Sequence, residues 1–158
     1  MKKSAFSTQV HFSKRGQAPS PALLTPLYNS FNKPQGGFWT STYLGQPAVS
    51  AWAETCRREE LIYDFPDTYL LTVDPNARVL EIDSLETLRA LMAQYPYHKS
   101  GYEVNSFLDY EALAREYDGL HLTKDGQATT NYTKPTLMGW GCESTVWTRW
   151  VFDEIKAL

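Results

Sequence analysis

Three short stretches hold polar side chains that strands or turns could bring together: His11-Phe12-Ser13, Phe38-Trp39-Thr40-Ser41 and Cys142-Glu143-Ser144. Glu143 stands out, as the lone acid in the otherwise uncharged run MGWGCESTVW, residues 138–147. A carboxylate at a strand start can stabilise a developing cation while accepting a hydrogen bond from a sugar hydroxyl, as glycosidase carboxylates do. An aromatic such as Trp39 can sandwich a flat leaving group. Each residue also has an ordinary reading. Most glutamates face water, so Glu143 can be a solvated residue at a sheet edge; a histidine is more often packed or exposed than functional, and Trp39 on a strand can be core.

Other chemistries find less support. His11, His98 and His121 lack metal-ligand spacing, so no metal is expected. Gly36-Gly37 matches neither a phosphate-binding loop nor a dinucleotide fingerprint. There is no GxSxG elbow, although a Ser-His-Asp arrangement assembled from separate segments stays open. The charge run Arg57 to Glu60 reads as a solvated helix end.

These residues must be positioned by elements that the hydrophobic periodicity outlines. Strands are expected within 6–13, 38–43, 68–73, 78–82 and 119–123. After Glu143, residues 144–150 alternate with period two: Val146, Thr148 and Trp150 point one way, Thr145, Trp147 and Arg149 the other. Helices are expected over 48–61, capped by Ser50 with Trp52, Cys56 and Leu61 on one face, and over 84–95, with Leu85, Leu88, Leu91 and Met92 inward. A third, over 108–117, is begun by Asp109. Two long polar segments, 15–37 and 124–139, read as loops, and long loops in compact domains are usually functional or mobile. The second leads straight to Glu143 and holds few residues able to anchor it in a core, so it is expected to be exposed and more mobile than the flanking strands. Strands outnumber interspersed helices, which argues one mixed α+β domain over residues 1–158.

Composition narrows the function classes. A chain of 158 residues can bury a real core. Its net charge of −3 gives no basic footprint for nucleic acid. Aromatic residues make up 14%, with five Trp and ten Tyr, a surplus that suits a pocket or an interface as well as a core. Cys56 and Cys142 lie far apart; one disulfide or two reduced buried thiols would both fit, and the absence of a secretory pattern favours the thiols. No stretch approaches the roughly 20 apolar residues of a membrane span, so a cytoplasmic protein without membrane partners is expected.

The order HFS, KPQGGFWTS, SAWAETC, EYDGLHLT and GWGCESTVW resembles a family of small proteins common in actinobacteria and their phages. More distantly, the layout is similar to the ADP-ribosyltransferase fold of the diphtheria-toxin type, a split β-sheet around an NAD cleft with flanking helices. That resemblance implies an NAD-dependent ADP-ribosyltransferase acting on a protein or nucleic acid, or an NAD glycohydrolase if water is the acceptor. It implies that His11 orders the adenosine ribose, with Ser13 beside it, and that Trp39 stacks on nicotinamide where the family often has Tyr. Thr40 and Ser41 resemble the family's hydroxyl stretch, and Glu143 its catalytic acid, expected to be ionised and held by hydroxyls such as those of Ser144 or Thr40. The loop before Glu143 falls where such enzymes recognise their acceptor, with Gln127 and Tyr132 the side chains expected to touch it. Gly141 stands where arginine-directed members carry a second acid or amide, which turns the expectation away from arginine. The alternative is a non-catalytic module that binds a nucleotide or a protein in the same cleft. The sequence leaves the acceptor and the oligomeric state open.

Overall fold

Period-two segments become strands and capped amphipathic segments become helices across residues 6–46, 49–59, 65–101 and 106–158, the parts of the chain that the computed structural model describes. The elements run β1 (Gln9–Ser13), β2 (Phe38–Thr42), α1 (Ala51–Arg58), β3 (Asp67–Val73), β4 (Val79–Ile82), α2 (Leu85–Gln94), β5 (Pro96–His98), β6 (Ser106–Leu108), α3 (Tyr110–Glu116), β7 (Gly119–Leu122), α4 (Lys124–Thr130), β8 (Ser144–Trp147) and β9 (Phe152–Ala157). They build a mixed α+β domain. Leu61, expected on the inner face of the first helix, lies outside the described residues.

Seven strands form one curled sheet in the order β4-β7-β8-β2-β1-β3-β9, while β5 and β6 pair separately. β4 and β7 are parallel and the other neighbours antiparallel. β2 divides its length between two partners. Phe38, Trp39 and Thr40 pair with β8, whereas Ser41 and Thr42 pair with Val10 and Gln9 of β1. The sheet therefore almost parts into two halves at β2.

Each face buries its own core. On one, Leu120, Leu122 and Val146 pack with Leu88 and Leu91 of α2 and with Tyr110 and Leu113 of α3. On the other, Phe38, Leu71, Val73 and Trp147 gather Phe6, Trp150 and Phe152 around them. Helices α1, α2 and α3 start where polar caps dictate: Ser50, Ser84 and Asp109 each accept a hydrogen bond from a first-turn amide. Glu54 in the first turn of α1 and Arg57 and Arg58 in its last complement the helix dipole.

Four features depart from expectation. The segment 124–139 is not a loop throughout, because Lys124–Thr130 is helical, capped by the Thr123 hydroxyl, which accepts from the Gly126 amide at 2.9 Å. Its polar, glycine-containing sequence hides the helix, since a helical Gly ordinarily costs about 1 kcal/mol. Packing explains the Gly: a β-carbon at Gly126 would stand 2.1 Å from the Ile82 carbonyl oxygen. Gly126, Thr130 and Leu137 are buried, so the segment is anchored, while Tyr132 at its turn is 88% exposed. Strand β8 ends at Trp147 rather than Trp150, because Thr148 turns to bond Asp118 and Tyr117 through its amide and hydroxyl. Strand β9 and the β5–β6 ladder were not expected. β9 is a polar edge strand (FDEIKA) whose alternation carries little apolar signal.

The other long segment, 15–37, is also pinned. Asn29 accepts from the amides of Tyr110 and Glu111 at the start of α3, and the Asn32 carbonyl accepts from the Trp140 indole. Gly36 turns the chain into β2 at φ +81, where a β-carbon would meet the Pro26 carbonyl oxygen at 2.0 Å.

Gly126→Ala tests the seat of α4. It should lower unfolding stability by about 1–3 kcal/mol in urea titrations through overpacking against β4. A change below about 0.5 kcal/mol, the usual range of a surface substitution, would mean that α4 is not held against that strand end.

Candidate functional site

Antiparallel pairing of β2 with β8 brings Ser41 and Thr42 alongside Glu143, which immediately precedes β8. The carboxylate is buried and fully engaged. Its Oε1 accepts from the Ser41 hydroxyl at 2.8 Å and the Thr42 amide at 3.0 Å, and its Oε2 from the Thr42 hydroxyl at 2.7 Å. His121 Nε2 lies 2.6 Å from Oε2. Burial would push the Glu143 carboxyl up, but His121 and the Thr42 donors outweigh it and hold it below its ordinary value. Glu143 is therefore ionised, as expected, though through different partners. The Ser144 hydroxyl bonds the Cys142 carbonyl instead, and the Thr40 hydroxyl donates to Gln9 Oε1 while accepting from the Trp147 indole.

Alternation sends Cys142 and Ser144 away from Glu143, and both line a pocket of about 200 Å³ that does not include the Glu143 side chain. Its walls are mainly aromatic: Phe12 of β1, Trp39 of β2, Trp52 of α1, Phe65 and Trp140. Trp39 is fixed by its indole N–H, which donates to the Gly36 carbonyl at 2.9 Å, and by Trp140, which meets it edge-on at 5.1 Å. The Lys33 ammonium stands 4.7 Å from the centre of the Trp39 ring, at cation–π distance. Beyond Lys33 and Trp39 a second, open depression of about 530 Å³ follows the loop from Ser30 to Gly36.

His11 also lines the pocket. Its Nδ1 lies 2.8 Å from the Trp39 carbonyl, so Nδ1 must carry a proton, and its ring stacks on Phe38 at 4.3 Å. Burial holds its pKa below the ordinary value, which leaves a neutral imidazole with Nε2 as an acceptor. Ser13 is buried away from this pocket, with its hydroxyl unpartnered. Gln127 lies on α4, half-buried, and Tyr132 on the turn after it. The structure thus joins His11, Trp39 and Thr40 at the pocket and ties Ser41 to Glu143 behind it. Ser13, Gln127 and Tyr132 stand outside the pocket lining.

The arrangement also bears on other chemistries. Ser41 donates to an acid rather than to a histidine, so the order needed for a serine nucleophile is not met here. Cys56 and Cys142 are both free and buried, and burial pushes the Cys142 thiol up to about 11, which leaves no thiolate at neutral pH. Among the described residues no group of three or more His, Cys, Asp or Glu is placed to hold a metal, and no helix is long and apolar enough to cross a membrane.

Sequence reasoning overlooked Thr42, His121, Lys33, Trp52 and Trp140. One signal was available for His121, a lone titratable residue inside the buried strand GLHL. Comparison of the chain with protein-family models, with curated proteins and with solved structures finds no match.

The Glu143–His121 pair makes stability depend on pH in a defined direction. Glu143, held below its ordinary 4.5, contributes stability that is complete above about 4.5 and is lost as pH falls through its lowered folded value. His121 is opposed by burial, but Glu143 and Glu81 outweigh that and hold it above its ordinary 6.5. Its contribution is complete below about 6.5 and is lost as pH rises through the raised folded value. The stability difference between wild type and His121→Gln, from urea midpoints at several pH values, should therefore be greatest between 4.5 and 6.5 and shrink on both sides. A pH-independent difference would show that the pair is not ionic.

Proposed function

We propose that the domain binds NAD and cleaves its nicotinamide–ribose bond, passing ADP-ribose to a macromolecule or to water. The observation that carries this reading is an aromatic pocket of single-ring size lined by Cys142 and Ser144, the two neighbours in sequence of a carboxylate that its own partners keep ionised. The near-parting of the sheet at β2 supports the further likeness to the ADP-ribosyltransferase split sheet.

The residues fit such a ligand in sections. A volume of about 200 Å³ is below the ~300 Å³ of an ordinary drug-sized site, so the inner pocket suits one flat ring rather than a dinucleotide. The outer depression past Lys33 has room for the remainder, with the ammonium placed for phosphate charge. NAD brings a glycosidic bond whose cleavage leaves positive charge at the ribose. Trp39 and Trp140 would hold the ring and exclude water, His11 would accept a ribose hydroxyl at Nε2, and Glu143 would stabilise the charge as an anion. Ser41 and Thr42 orient that anion. Tyr132, exposed on the turn after α4, is the side chain best presented to an acceptor.

A second reading, nucleotide binding without turnover, has its own support. All four acceptor positions of Glu143 are taken by protein donors, and its side chain keeps 9% of its exposed surface. Catalysis would require one donor to yield to the ligand.

Two measurements on the purified protein separate the readings. Nicotinamide release from NAD should fall about 100-fold or more in Glu143→Gln, with circular dichroism confirming the fold. Calorimetry should show NAD binding weakened about tenfold by Trp39→Ala, near 1.4 kcal/mol. Binding with no release by wild type would support the module, and absence of binding would sink both.

A further inference from the structure

We propose that His121 is a positioning residue for Glu143, an imidazolium clamped between two carboxylates that fixes the Glu143 side chain while Glu81 orients the ring from behind. This rests on the reading of Glu143 as the acting carboxylate. The strand alternation that sends Leu120 and Leu122 into one core turns His121 to the opposite face. There its Nε2 stands 2.6 Å from Glu143 Oε2 and its Nδ1 3.2 Å from Glu81 Oε1.

The protonation state follows from counting donors. A neutral imidazole has one N–H, so one of the two contacts would set a lone pair against a carboxylate oxygen. Glu143 takes donors from the Ser41 hydroxyl and the Thr42 amide on Oε1 and from the Thr42 hydroxyl on Oε2, a set that favours its carboxylate over its acid form. Glu81 is half-exposed, so water reaches its carboxylate on the side away from the ring. Both ring nitrogens therefore donate.

The surroundings preserve that state. Among the described residues, the charged groups facing the ring are Glu81 from β4 and Glu143 just before β8. Phe6 covers it edge-on at 5.2 Å, and Thr145, its cross-strand partner on β8, supplies only a hydroxyl. An anion balanced in this way keeps its geometry in the absence of ligand, which is the preorganisation that electrostatic catalysis needs. Glu81 adds a route by which a change at the surface alters the charge on the buried pair.

Glu81→Gln is the informative variant, because Glu81 is half-exposed and its loss should leave the fold intact. Imidazole nitrogen NMR on the full chain should show His121 doubly protonated at neutral pH, with its titration moved to lower pH in Glu81→Gln. In His121→Gln, whose amide can still donate to Glu143, the Glu143 carboxyl carbon should titrate at higher pH than in wild type. A neutral His121 at pH 7, or titrations that neither substitution moves, would overturn the assignment. If wild type releases nicotinamide, kcat should fall as pH rises through the His121 pKa, and at lower pH in Glu81→Gln, with KM for NAD little changed. An unchanged pH profile would also overturn it. If wild type releases none, the reaction reading fails, and the nitrogen and carbon titrations still decide the role of His121.

Discussion

Removing a carboxylate from water costs several kcal/mol unless its oxygens are met by donors and its charge by a cation. Glu143 meets that demand by drawing on three neighbouring segments at once. Ser41 and Thr42 come from the end of β2, His121 from β7, and the acid itself from the start of β8. The ends of three adjacent strands are therefore fixed relative to one another by one side chain. β2 switches partners from β8 to β1 at the same place, where the backbone ladder is thinnest. The carboxylate supplies a side-chain tie across a weak point of the main-chain ladder.

A second polar link runs beside the first. The Trp147 indole donates to Thr40, and Thr40 donates to Gln9, which is itself buried and returns its amide to the Ser7 carbonyl. Together the two links form a polar seam through β1, β2, β7 and β8, on the sheet face otherwise filled by aromatic side chains. Such a seam specifies register. Sliding β2 by one residue would strand Glu143 and Gln9 without donors and turn Trp39 out of the pocket.

The opposite face does a different task. There Trp39, Trp52 and Trp140 leave a gap that their rigid rings cannot close, and the anchored segment around Asn32 holds Lys33 at its rim. Pocket and carboxylate lie on opposite sides of the same strand ends. Cys142 and Ser144 face one while Glu143 faces the other. Ser41, whose hydroxyl donates to Glu143, also accepts from the amide of Trp52, a residue of the pocket wall.

Much of the framework was legible in the residues themselves. Period-two runs marked β1, β2, β3, β4, β7 and the start of β8, and the caps Ser50 and Asp109 and the apolar periodicity of 84–95 marked three helices, because these signals are local. Glu143 was conspicuous because a lone acid among aromatics and small residues is a local anomaly too. Helix α4 was not legible, since Gly126 lowers helix propensity and is required only by the Ile82 carbonyl, 44 residues away in sequence. Nor was β9, a mostly polar strand held by its ladder with β3 and by Phe152 in the second core. The partners of Glu143 were the decisive gap. Ser144 and Thr40 are near in sequence or in motif, yet strand alternation and the indole of Trp147 commit their hydroxyls elsewhere. The sequence by itself determined where the strands and caps lie and which carboxylate is exceptional. Only the tertiary structure decided that His121 and Glu81 stand behind it, because the parallel pairing of β4 with β7 and the antiparallel pairing of β7 with β8 set that row, and neither leaves a mark in any one segment.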